Sequence, residues 1–124
     1  MKPVISNTDY VTLKSLIVNC PPHLKSKELG QMMDELDKAE VVTDKKIGND
    51  VIKLNSLFEA EDLSTNKIWK LMLTLPGEAN LKEQKISVFS PLGVALIGFK
   101  KGMTVQSALP GGMKKFKILN VVNE

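Results

Sequence analysis

Nucleophilic chemistry has little to work with in this chain. Cys20 and His23 make a C-x-x-H spacing beside Pro21-Pro22, and the sequence holds no second cysteine or histidine. Zinc needs four protein ligands, or three plus water, so two soft ligands fall short. The pair reads as a turn histidine and an apolar cysteine at a helix end. Carboxylates come next. Asp34 and Asp37 are three residues apart and share a helix face, with Glu35 off it. One or two carboxylates plus waters commonly hold Mg²⁺, but Lys38 is interleaved with them and a solvated face explains the same residues. Lys100, Lys101, Lys114, Lys115 and Lys117 fill a stretch without acids. That stretch suits a phosphate-facing surface or, preferably, a solvated strand edge that discourages aggregation. Ser90-Pro91-Leu92-Gly93 has the look of an anion-binding helix start, yet lacks the repeated glycines and the lysine of a nucleotide loop. These residues give no catalytic group, no metal site and no cofactor; the chain is not expected to be an enzyme.

Composition narrows the classes further. At 124 residues, 43% hydrophobic and 25% charged, the chain is long enough for one ordinary core without staples. All 17 basic residues are lysines and the net charge is +3, with the excess confined to residues 50–124. Without arginine's planar fork, sequence-specific nucleic-acid binding is a poor expectation. The single cysteine excludes an intrachain disulfide framework and suits a reducing compartment. No apolar run is long enough to span a membrane, and the first residues lack the pattern of a signal peptide. A soluble cytoplasmic protein, monomeric and without membrane contact, is expected.

The elements that must position these residues follow from periodicity. Ser6 can cap a first helix with Asp9 in the capping-box position. Tyr10, Leu13, Leu16 and Ile17 supply its stripe, widened by Val11 and Val18. Pro21-Pro22 ends it. A second helix starts near Ser26, with Leu29, Met32, Met33, Leu36 and Ala39 as its stripe, fading by Thr43. The two make a short antiparallel hairpin, about 18 and 25 Å long for about 12 and 17 residues. Beyond Asp44 the pattern turns to short strands: Val51 with Leu54 and Leu57-Phe58, then Ile68 to Leu75, and Ile86 to Phe89. Ser90-Pro91 opens a brief helix that Gly98 closes. Met103 to Leu109 and Lys114 to Val122 form a hairpin about Pro110-Gly111-Gly112. The aromatics sit mostly at core positions, Phe89 excepted. The fold class is α+β: a helical hairpin over residues 1–46 and a small, mostly antiparallel sheet with one short helix over 47–124.

The run Ile86-Ser87-Val88-Phe89-Ser90-Pro91-Leu92-Gly93-Val94-Ala95-Leu96-Ile97-Gly98, followed by Lys101-Gly102 and Pro110-Gly111-Gly112, resembles the C-terminal domain of the GreA/GreB transcription elongation factor family. The resemblance implies an FKBP-like domain over about residues 48–123. The short helices, and Met32 to Ala39 against an L-x-x-E-L-x-x-A signature, resemble the Rnk-like branch, named as regulators of nucleoside diphosphate kinase. It further implies a non-catalytic regulator that binds RNA polymerase near its secondary channel and competes with other channel-binding factors. Phe89, Ser90 and Pro91 are the implied contacts, with Asp34, Glu35 and Asp37 auxiliary. Cleavage-competent relatives carry an acidic pair at the hairpin tip, whereas Asn19 to Lys27 has no acid, so transcript cleavage is not expected. GreB-like members carry an acid where Phe89 stands. The alternatives are an interaction module for another protein and a peptidyl-prolyl isomerase, the latter disfavoured because aromatics are few.

Overall fold

The computed structural model describes residues 3–20, 27–109 and 112–123. Strand β1 (Val4–Ser6) runs straight into helix α1 (Asn7–Val18). Ser6 ends the extended segment and its hydroxyl accepts the Asp9 N–H at 3.2 Å, capping the helix as its type and place predict. The Asp9 carboxylate does something else: it accepts the Leu54 N–H at 3.1 Å from a loop far along the chain. Leu13 and Ile17 are buried, whereas Val11 and Val18 are 59% and 66% exposed and Leu16 is also exposed. The stripe is therefore narrower than the sequence implies. At about 100° per residue, positions 13 and 17 face the neighbour and 11 and 18 point well away from it.

Helix α2 (Lys27–Lys38) buries Leu29, Met32 and Leu36. It stops earlier than its spacing predicts, because the next residues are drawn into strand β2 (Glu40–Val42), parallel to β1. Glu40 N–H donates to Pro3 O at 2.9 Å, and Val4 N–H donates to Gly98 O at 2.8 Å. This pairing holds both helices to the rest of the protein. The helices pack against one another; the connection carrying Pro21, Pro22 and His23 lies outside the described residues.

The main sheet has five strands: β3 (Leu57–Asp62), β4 (Lys67–Thr74), β5 (Lys85–Ser87), β6 (Thr104–Leu109) and β7 (Gly112–Val122). Their order is β5-β4-β3-β7-β6, antiparallel except for β4–β5. Two short 3₁₀ turns, Pro76–Glu78 and Leu81–Glu83, carry the chain between those parallel strands. Val51 and Leu54 do not extend β3. Val51 makes only an isolated bridge to Lys100, and Asn55 at φ 71° turns the chain, a conformation Asn tolerates better than most residues. The β6–β7 hairpin closes at Leu109 and Gly112; Pro110 and Gly111 fall outside the described residues.

Helix α3 (Pro91–Leu96) lies over β6, and α2 lies against α3. One continuous core runs from Phe58, Leu73 and Ile118 in the sheet through Leu96 to Leu13 and Met32. Lys115 and Lys117 alternate with buried Phe116 and Ile118, so they occupy the outer face of β7, one strand in from the edge. They are a solvated face rather than the strand edge expected from sequence. Among the described residues no helix is long and apolar enough to cross a membrane.

Candidate functional site

The Ser-Pro loop is fixed by hydrogen bonds within the chain. β5 delivers the chain to Val88, which is buried and donates its N–H to Thr74 O at 2.8 Å. Ser87 then becomes the hub of the turn. Its hydroxyl accepts the Phe89 N–H at 3.0 Å. Its carbonyl accepts both the Ser90 N–H at 3.0 Å and the Ser90 hydroxyl at 2.6 Å. The Ser90 oxygen in turn accepts the Gly93 N–H at 3.1 Å, which caps α3, and Pro91 supplies its first turn. A serine that donates and accepts at once leaves little freedom in the loop. Gly93 is required by space: a Cβ there would lie 2.3 Å from Ser87 O and 3.0 Å from Val88 Cα. Phe89, Ser90 and Pro91 are all half-buried, and Phe89 packs against the core margin.

Two cavities adjoin the start of α3, one lined by Leu92 and the other by Pro91. At the first, Trp69, Leu71, Ile86, Leu92 and Phe116 line an apolar pocket of about 230 Å³. Trp69 shares the core side of β4 with Leu71 and Leu73, but it is 40% exposed and carries the Lys67 ammonium 4.3 Å above its ring. The expectation that aromatics would be scattered through the core misses this convergence of Trp69 with Phe116. Their alternate spacing along β4 and β7 was the available signal. Asp62 and Lys114 close the rim with a 3.2 Å ion pair. Asp62 is buried, and Ser64 donates to it twice, through its hydroxyl at 2.7 Å and its N–H at 2.9 Å. The Ser64 hydroxyl, more than any other group, holds the Asp62 pKa down at about 2, with help from Lys114.

At the second, a groove of about 250 Å³ separates α2 from α3 and the β6–β7 hairpin. Asp34 and Glu35 line it together with Pro91, whereas Asp37 is exposed and is not part of it. The acids that converge are neighbours in sequence on the flank of α2, not the Asp34–Asp37 pair selected by i,i+3 spacing. Among the described residues no three His, Cys, Asp or Glu side chains gather as metal ligands. His23 and most of the stretch from Asn19 to Lys27 lie outside the described residues.

Residues 47–123 match the family model for the C-terminal part of the transcription elongation factors GreA and GreB. The chain belongs to the GreA/GreB family. It is 36% identical over 95 residues to the transcription elongation factor GreA of Nitrobacter hamburgensis, covering 75% of this chain and 59% of that one. Against the GreA of Azorhizobium caulinodans the identity is 30% over 117 residues, 93% of this chain and 70% of the relative. The chain thus spans about three fifths of the Nitrobacter protein. Among solved structures, a prokaryotic GreA/GreB transcription elongation factor from Nitrosomonas europaea superposes with a TM-score of 0.80 at 28% identity, covering 99% of each chain. GreA factor homolog 1 of Thermus thermophilus shares the fold with a TM-score of 0.54 at 18% identity. The α+β architecture of this GreA/GreB-family protein is that of its relatives. Its Phe89-Ser90-Pro91 loop lies inside the matched segment.

Proposed function

We propose that the protein is a non-catalytic transcription regulator that docks on RNA polymerase near its secondary channel. Residues 47–124 form the docking unit, and Phe89, Ser90 and Pro91 are its contact. Residues 1–46 point their helices towards the channel mouth and obstruct it. The observation that carries this reading is the Ser-Pro loop: it lies in the family-matched segment, is cross-bonded through Ser87, and leads into α3, where Pro91 and Leu92 each line a concavity able to receive partner side chains. A preorganised contact loses little entropy on binding. The helices are 12 residues each, about 18 Å, and the reading assigns them exclusion rather than chemistry. Competition with other channel-binding factors then follows from mass action, in the cytoplasm where the polymerase works.

The test is saturable binding to core RNA polymerase at two salt concentrations, with a Ser90→Ala/Pro91→Ala variant. Losing the cap costs about 1 kcal/mol of stability, so a remote core variant, Leu13→Ala, serves as control. The reading expects the loop variant to bind weakly and Leu13→Ala, still folded under the assay conditions, to bind normally. Absence of wild-type binding at micromolar protein refutes it. Proline isomerisation is a second reading, favoured by one observation, the aromatic-lined pocket of Trp69 and Phe116. An isomerisation assay on a proline peptide, with Trp69→Leu as control, decides it.

A further inference from the structure

The groove beside Pro91 has features that the docking loop does not use. Ser107 lines it from β6, is 2% exposed, and its hydroxyl has no hydrogen-bond partner among the described residues. A buried hydroxyl left unpaired is costly, and such groups in folded proteins normally have a partner. Asp34 and Glu35 stand over the same space, and Gln31 and Gln106 offer further carboxamide oxygens. The floor is apolar: Val94 and Ala95 of α3, with Met113 at the rim. Among the described residues of the lining Lys38 is the one cation, so they carry a net charge of −1.

We propose that this groove receives an arginine side chain of the docking partner. A guanidinium has five N–H donors and no acceptor, which matches a site rich in carboxylate, carboxamide and hydroxyl oxygens. Its methylene stem suits the floor of Val94, Ala95 and Met113. An ammonium offers only three donors from one point and would leave more of these oxygens unpaired. A carboxylate or phosphate would meet Asp34 and Glu35 with only Lys38 in compensation. The inference rests on the polymerase-docking reading for the identity of the partner, and on the groove alone for the chemistry.

The test has two arms. In the first, the full chain is titrated with N-acetyl-arginine methylamide and followed by amide NMR, with the neutral citrulline analogue and N-acetyl-glutamate methylamide as comparisons. Shifts concentrated at Asp34, Glu35, Gln106 and Ser107 with the arginine probe alone are expected. Asp34→Asn/Glu35→Gln weakens that binding about tenfold and Lys38→Gln tightens it two- to threefold, roughly the size of exposed ion-pair effects. Ser107→Ala weakens it about threefold without lowering the melting temperature, because the unbound protein loses no hydrogen bond. Equal shifts with citrulline, preference for the glutamate probe, or shifts scattered over the surface overturn the groove chemistry. In the second arm, core polymerase binding is compared between wild type and Asp34→Asn/Glu35→Gln. Wild-type binding that the double variant does not weaken overturns the assignment to polymerase, whereas no wild-type binding refutes the docking reading and leaves the probe result to decide the groove.

Discussion

Replacing Gly93 by alanine asks the Ser90-Pro91 loop to make room where there is none. The added Cβ would lie 2.3 Å from Ser87 O, while ordinary contact begins at 3.4 Å, so one partner must retreat by about an ångström. The obstacle is backbone, and that carbonyl also accepts the Ser90 N–H and hydroxyl, so it cannot swing aside alone. Overpacking of this kind costs about 1–3 kcal/mol, and the upper end applies when bonded backbone is displaced. Alanine's better helix propensity returns up to about 1 kcal/mol, leaving a net loss of about 2 kcal/mol. For a domain of this size that lowers Tm by roughly 8 °C. Gly30 is the matched control: it is exposed within α2 and a Cβ there meets nothing within 4 Å. Gly30→Ala therefore gains propensity without a clash and raises Tm by roughly 4 °C. Thermal melts of both variants decide the matter. If Gly93→Ala melts at or above the wild-type temperature, the loop is not held as tightly as its hydrogen bonds imply and the reasoning fails.

Three further outcomes are expected. Asp9→Ala leaves the Leu54 N–H without its acceptor and costs about 1–3 kcal/mol. Asp9→Asn keeps an acceptor and, because burial raises the Asp9 pKa, matches or exceeds wild type at neutral pH; urea titration of both variants checks this. The depressed pKa of Asp62, about 2, contributes stability that is fully present above the unfolded value near 3.9 and lost as pH falls through 2. Ser64→Ala removes the main cause and brings the folded pKa closer to the unfolded one, so the variant is less stable at neutral pH, loses less Tm on acidification, and completes that loss at higher pH; superimposable acid limbs contradict the assignment. Leu13→Ala empties a fully buried position shared by α1 and the core and costs about 2–5 kcal/mol in denaturant, far more than Val11→Ala on the exposed face.

Local chemistry was legible in the sequence where a few adjacent residues decide the outcome. Ser6 and Ser90 each cap a helix as their positions imply, and Pro91 and Gly98 bound α3 as expected. The β6–β7 hairpin also followed from alternation and turn residues. What escaped was structure made by distant partners. β1 and β2 have three residues each, too short to show a period, and exist because Pro3, Val4 and Glu40 find hydrogen bonds in each other and in Gly98. Likewise Trp69 has the alternation of a core residue, but lies beyond the part of the sheet that is fully covered and ends at a pocket. The groove of Asp34 and Glu35 depends on which flank of α2 meets α3, and spacing within one helix does not contain that information.

The order in which the chain is made has a consequence for its first strand. Val4 takes its hydrogen-bond acceptor from Gly98, whereas Glu40 bonds Pro3 and needs nothing beyond β2. At about 5–20 residues per second, Gly98 is synthesised on the order of 5–20 s after Val4. Through that interval the leading segment has β2 but not Gly98 to bond, and α1 and α2 have each other but not the sheet and α3 that complete their core. A ribosome stalled before Gly98 would therefore present those helices to chaperones, while release of α3 would allow the two ends of the fold to be joined.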